Sequence, residues 1–98
     1  MAVFPSPRAV EEFEAHLAYY EKSAPVSVAL DFIDEYQAAK NRIALNPGAG
    51  SPRYAYLVPG VRHVSLDRFP FLVFYVQEGA DQRIISVLHE RSDIVTRL

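Results

Sequence analysis

The sequence predicts an α+β fold in which a short N-terminal strand and a helical hairpin pack on one face of a three- or four-stranded antiparallel sheet. Three observations predict it. Apolar residues recur at three- and four-residue spacing through the first half of the chain, the signature of amphipathic helices. Beyond Gly60 the pattern changes to short runs rich in β-branched and aromatic residues separated by turn residues. Within that half, Phe71 to Val76 is apolar at every position, which suits a strand in a sheet interior with cover on both faces.

Val3 and Phe4 begin the N-terminal strand. Ser6 and Pro7 then read as a helix N-cap and first helical residue, followed by Glu11 and Glu12 where the helix dipole favours acids. Val10, Phe13, Leu17 and Tyr20 make one apolar stripe, and Ser23 and Pro25 end the helix near Lys22. Pro25 suits the first turn of a second helix, whose apolar face is Ala29, Phe32, Ile33, Tyr36, Ala39 and Ile43. Asn46-Pro47-Gly48 stops it. Two antiparallel helices joined by so few residues form a hairpin. The segment NPGAGSPRYAYLVPG, residues 46–60, has no sustained period and reads as a surface connection. Val61 to Leu66 is the next strand, Arg68-Phe69-Pro70 turns the chain into Phe71–Val76, and Gly79 and Asp81 mark a hairpin loop. Ile84 to His89 returns antiparallel. Strict alternation puts Ile84, Ser86 and Leu88 on one face and Ile85, Val87 and His89 on the other.

Ninety-eight residues, half of them apolar, suit one domain over residues 1–98 with a small core. A core of that size gives a partner something to complete. With no cysteine, neither a disulfide framework nor a cysteine-ligated metal is available, and a reducing cytoplasm fits best. His16, His63 and His89 are too scattered to make a ligand set, so no metal or cofactor is expected. The N-terminus lacks a signal-peptide pattern and no stretch approaches a membrane span. Net charge is −2: residues 1–46 carry four basic and seven acidic side chains, residues 47–98 six basic and five acidic. Nothing there suggests direct nucleic-acid binding, which calls for a clear basic excess.

Several side chains in the C-terminal half have both a bland and a functional reading. His89 ends the last strand, where its ring either caps the sheet edge through backbone hydrogen bonds or joins a site. Arg62 and His63 alternate on one strand, so only one of them faces the core. Arg91 either pairs with Asp93 or reaches a partner's carboxylate. Tyr54 and Tyr56 either recognise a partner or lay their rings over the core.

Taken in order along the chain, Ser6-Pro7-Arg8-Ala9, Asn46-Pro47, Gly60-Val61-Arg62, Arg68-Phe69-Pro70-Phe71 leading into Val73-Phe74-Tyr75, and Val87-Leu88-His89 followed by Arg91 and Asp93 resemble the ParE branch of the RelE/ParE toxin superfamily. The resemblance covers nearly the whole chain, and the string from RFPFLVFY to VLHERSD is its most specific part. It implies the toxin half of a bacterial type II toxin–antitoxin module, acting without catalytic residues on DNA gyrase to block replication. It further implies a cognate ParD-like antitoxin that neutralises the toxin in a hetero-oligomer. Arg62, Arg68, His89 and Arg91, with the loop around Tyr54 and Tyr56, are then the expected contacts to target or antitoxin. The alternative is the sister RelE branch, ribosome-dependent mRNA endonucleases, which would draw on His63, His89, Arg62 and Arg91. The chain departs from that branch at its end, Ile94-Val95-Thr96-Arg97-Leu98, which lacks a terminal Tyr, His or Lys. A third possibility is a family member that only binds an antitoxin.

Overall fold

A computed structural model of the chain describes residues 2–98. Its elements are β1 (Val3–Pro5), α1 (Pro7–Ser23), α2 (Val26–Leu45), β2 (Arg62–Ser65), β3 (Phe71–Glu78), β4 (Asp81–His89) and α3 (Ile94–Arg97). The sheet runs β1-β4-β3-β2. The last three strands are antiparallel as the sequence predicts, whereas β1 lies parallel to β4, so the four-stranded sheet is mixed. Almost the whole chain separates β1 from β4, and no turn between them dictates direction.

Local chemistry accounts for the helix boundaries. The Ser6 hydroxyl accepts from the Ala9 N–H at 3.1 Å, and Pro7 occupies the first helical position. The helix stops at Ser23 because Ala24, which precedes Pro25, is extended. α2 starts directly after Pro25 and ends before Asn46, whose N–H still reaches Arg42 O. The buried stripe of α2 is Ala29, Phe32, Tyr36, Ala39 and Ile43, while Ile33, expected with them, faces out at 39% exposure. On α1 the inward stripe runs Ala9, Phe13, Leu17 and Tyr20, with Val10 rotated toward solvent.

The two faces of β3 have different cover. Phe71, Val73 and Tyr75 pack under the hairpin with Phe32, Ile43, Ile84 and Val87. There Phe13 stacks on Phe32 and Tyr36, with ring centroids 5.2 and 4.2 Å away. Leu72 and Phe74 face the other way and join Val61, Leu88 and Ile94 in a second core. Tyr54 and Val58 from the long connection and Leu98 behind α3 close over it. The connection is therefore a lid on the second core as well as a surface loop. Each fully buried Phe or Val side chain contributes roughly 1.5–3 kcal/mol.

Strict alternation fails on β4. Phe74 pairs with Ser86 and Tyr75 with Ile84, leaving Ile85 as an extra residue in a β-bulge. The bulge shifts the faces: Ile84 and Val87 share the helix-side core, and Ile85 and Leu88 share the other. Among the described residues no helix is long and apolar enough to cross a membrane.

Candidate functional site

Pairing with β1 ends opposite Ile84, so the outer edge of β4 from Ile85 onward has no neighbouring strand. Polar side chains at the start of α1 take the strand's place. The Ser6 N–H donates to Ile84 O at 2.8 Å and its hydroxyl to Ile85 O at 3.4 Å. Glu12 Oε1 accepts from the Ser86 hydroxyl at 2.7 Å and from the Val87 N–H at 3.0 Å. One helical turn on, His16 Nε2 donates to Val87 O at 2.8 Å, and because a carbonyl only accepts, the contact puts a proton on Nε2.

Beyond His16 this junction opens into a groove of about 520 Å³, lined by His16, Tyr19, Tyr20, Phe71 and His89. His16 lies 4.3 Å from the Phe71 ring, and His89 meets the same ring edge-on at 5.4 Å. His89 Nδ1 accepts the Arg91 N–H at 3.0 Å, which puts the neutral imidazole's proton on Nε2. All five walls are aromatic rings, three of them phenolic or imidazole-edged on the α1 side, so the groove suits an apolar or planar group better than a charged one.

Of the six residues expected from the sequence, His89 and Arg91 are joined by a hydrogen bond and the others lie apart from them. Tyr54 is half-buried, its ring 5.8 Å from Phe74 and 5.6 Å from His63, whereas Tyr56 is 73% exposed. Beside Tyr54, burial and then the charge of Arg53 push the His63 imidazole below its ordinary pKa. Arg62 lies on the helix-side face of β2, paired with Tyr75, and donates to Gly50 O at 2.8 Å. Arg68 ties the β2–β3 turn to α2: its Nε is 2.8 Å from Glu35 and its Nη1 3.7 Å from Asp31. Arg91 is exposed in the turn after β4. Its expected partner Asp93 instead caps α3, accepting from the Thr96 N–H at 3.3 Å and hydroxyl at 2.7 Å, bonds that hold its carboxyl below the usual range.

These positions decide what the residues can do together. His89 is opposite Phe71 and Arg62 opposite Tyr75, four residues apart along β3, or roughly 13 Å at the rise of a strand. His63 packs on the other face, against Phe74. A base, an acid and a phosphate-stabilising cation must converge on one scissile bond, and this set does not.

Two features escape a reading of the sequence. One is the pair Glu12 and His16, whose four-residue spacing was legible but whose burial against β4 was not. The other is an apolar stripe on the outside of α2: Val26, Leu30 and Ile33 are 74%, 55% and 39% exposed and lie at i, i+4 and i+7. The sheet edges are less inviting. β1 is three residues long and ends in proline, and on β2 His63 exchanges both backbone bonds with Ser51 while Arg42 holds Ser65 O.

Comparison with known proteins agrees with this architecture. The model of a family described as the ParE toxin of the type II toxin–antitoxin system, parDE, matches residues 3–94. Among solved structures, a chain of the chromosomal ParDE toxin–antitoxin system from P. aeruginosa superposes with a TM-score of 0.76 at 24% identity, over 91% of this chain and 95% of that one. No curated protein matches.

Proposed function

Because the chain belongs to the family of ParE toxins of type II toxin–antitoxin systems, we propose that it acts in the cytoplasm by binding DNA gyrase and halting replication, and that a ParD-like antitoxin neutralises it in a hetero-oligomer. The observation that carries the partner reading is the exposed stripe Val26, Leu30 and Ile33 on α2. An amphipathic segment of the antitoxin covers that stripe, the mode in which a helix is read through anchors at i, i+4 and i+7. With both sheet edges blunted, strand addition is the weaker route. For the target, two facts favour a protein over ribosomal RNA: the net charge of −2 gives phosphate little attraction, and the residues an endonuclease would draw on lie apart.

The test is a supercoiling assay with the purified chain, gyrase and relaxed plasmid, beside growth of a bacterial host expressing the chain alone. Supercoiling should fall with added protein and recover when the product of the neighbouring gene is added. Untouched supercoiling together with mRNA cleavage on ribosomes would overturn the gyrase reading in favour of an endonuclease. Normal growth and supercoiling with intact antitoxin binding would leave only an antitoxin-binding role.

A further inference from the structure

At the opposite end of the sheet from the aromatic groove, three strands bring polar side chains together below the end of α2. Arg62 of β2 pairs with Tyr75 of β3, and two residues on, Gln77 pairs with Gln82 of β4. With Pro47 and Gly48 as a rim, these four line a cavity of about 230 Å³ on the helix-side face. Gln82 is only 4% exposed, and among the described residues its side-chain amide makes no hydrogen bond to protein and opens onto the cavity. An amide that opens onto the cavity with no protein partner is free to bond whatever enters it.

The other lining groups say what enters. Arg62 is half-buried and spends one Nη1–H on Gly50 O, and among the described residues no carboxylate lies within 4 Å of its guanidinium. The Tyr75 hydroxyl is already committed, donating to Pro47 O at 2.5 Å and accepting from the Gly50 N–H at 3.1 Å. Gln77 spends one amide N–H on Gly79 O. The cavity is left with the free arms of a guanidinium, the Gln82 amide, whose NH₂ can donate and whose oxygen can accept, and one positive charge. A planar fork of N–H donors matches a carboxylate in both shape and charge. A phosphate dianion fits less well, since a single cation balances only half its charge and the carbonyl end of α2 lies at the rim.

We propose that this cavity recognises a carboxylate, gripped by the Arg62 guanidinium and the Gln82 amide. The carboxylate has two possible sources, an acidic side chain of a bound polypeptide or a free small acid. The site is independent of the antitoxin reading, as its lining shares no residue with the α2 stripe.

The experiment is a titration of the full chain, followed through the Arg62 Nε–H and Gln82 NH₂ resonances at constant ionic strength. The probes are sodium acetate, the blocked peptide acetyl-Ala-Glu-Ala-amide and inorganic phosphate. Saturable shifts of both resonances with acetate or the peptide, at affinity about tenfold or more above phosphate, are expected for a fork-matched monoanion. Arg62→Gln should abolish them, and Arg62→Lys should weaken them about tenfold because it keeps the charge and loses the fork. Gln82→Leu, a near-isosteric change at a buried site, should weaken them while the amide spectrum stays folded. Tighter binding of the peptide than of acetate assigns a polypeptide source, and the reverse a free acid. Shifts absent with both carboxylates, unchanged by Arg62→Gln, or larger with phosphate overturn the proposal.

Discussion

Glu12 Oε1, on the first helix, takes the hydroxyl of Ser86 at 2.7 Å and the following N–H of Val87 at 3.0 Å, and so satisfies a strand edge that β1 is too short to reach. A carboxylate here does the work of a missing strand. Glu12→Ala removes the acceptor from two donors in the half-buried bulge region and should cost about 1–3 kcal/mol of stability. Glu12→Gln, which keeps an acceptor oxygen, should cost less. Urea denaturation at neutral pH checks both, and equal stability of Glu12→Ala and the wild type would contradict the assignment.

Tyr75 and Gly50 are a second such pair. A Cβ on Gly50 would run into the Tyr75 hydroxyl and ring, so Gly50→Ala should destabilise strongly although the backbone there is ordinary. Tyr75→Phe alone leaves the Gly50 N–H without an acceptor, at a cost of about 1–3 kcal/mol. Because the hydroxyl is the nearest obstacle, the double variant should lose less than the sum of the two. A thermal-denaturation cycle measures that coupling.

Two of the shifted groups make separable contributions to the pH dependence. Burial by itself would raise the Glu35 carboxyl, but hydrogen bonds from the Arg68 backbone and guanidinium outweigh it and hold Glu35 below its ordinary value. A carboxylate depressed in the folded state adds stability that is complete above its unfolded pKa and is lost as pH falls through the folded one. Arg68→Ala should therefore flatten the acid limb of the stability curve and raise the Glu35 midpoint in a carboxyl NMR titration. At the alkaline end, burial pushes the Tyr36 phenol up to about 12, and its hydroxyl has no partner among the described residues. The folded state then holds that proton longer than the unfolded chain, so stability falls as pH rises from about 10 toward 12. Tyr36→Phe should lessen this loss, the raised Tyr20 and Tyr75 phenols keeping a remainder, and leave neutral-pH stability unchanged or improved, which absorbance titration and denaturation at two pH values will check.

Leu30 sits in the middle of the exposed stripe on α2. Leu30→Asp should change folding stability by about 0.5 kcal/mol or less, as surface substitutions usually do. Under the proposed partner mode it should nevertheless weaken antitoxin binding at least tenfold, about 1.4 kcal/mol. Calorimetric titration with the antitoxin, beside a melt of the free chain, separates the two effects. Undiminished binding would move the partner to another surface.

Much of the fold was legible because its signals are local. Ser6 and Pro7, the Pro25 boundary, Asn46-Pro47 and the unbroken apolar run from Phe71 fix the ends and types of elements through backbone chemistry that neighbours alone enforce. The candidate site was less so. Arg62, Arg68, His89, Arg91, Tyr54 and Tyr56 stand out by residue type, but the register puts Arg62 and His89 at opposite ends of the sheet, while Arg68 and Arg91 lie in turns and Tyr54 and Tyr56 in the long connection. Asp93 spaced two residues from Arg91 suggested an ion pair, but a helix cap three residues long in reach won it instead.

By itself the sequence determined two amphipathic helices, three antiparallel strands and a central one that must be covered on both sides, since period and propensity are properties of a few consecutive residues. Tertiary structure alone decided the parallel docking of β1, the bulge at Ile85 that swaps the faces of β4, and the use of Glu12 and His16 as a substitute strand. It also decided which of two apolar neighbours on a helix, such as Phe32 and Ile33, is buried. Those outcomes depend on hydrogen-bond partners some 70 or more residues apart along the chain, as Glu12 is from Ser86 and His16 from Val87, and no local pattern encodes them.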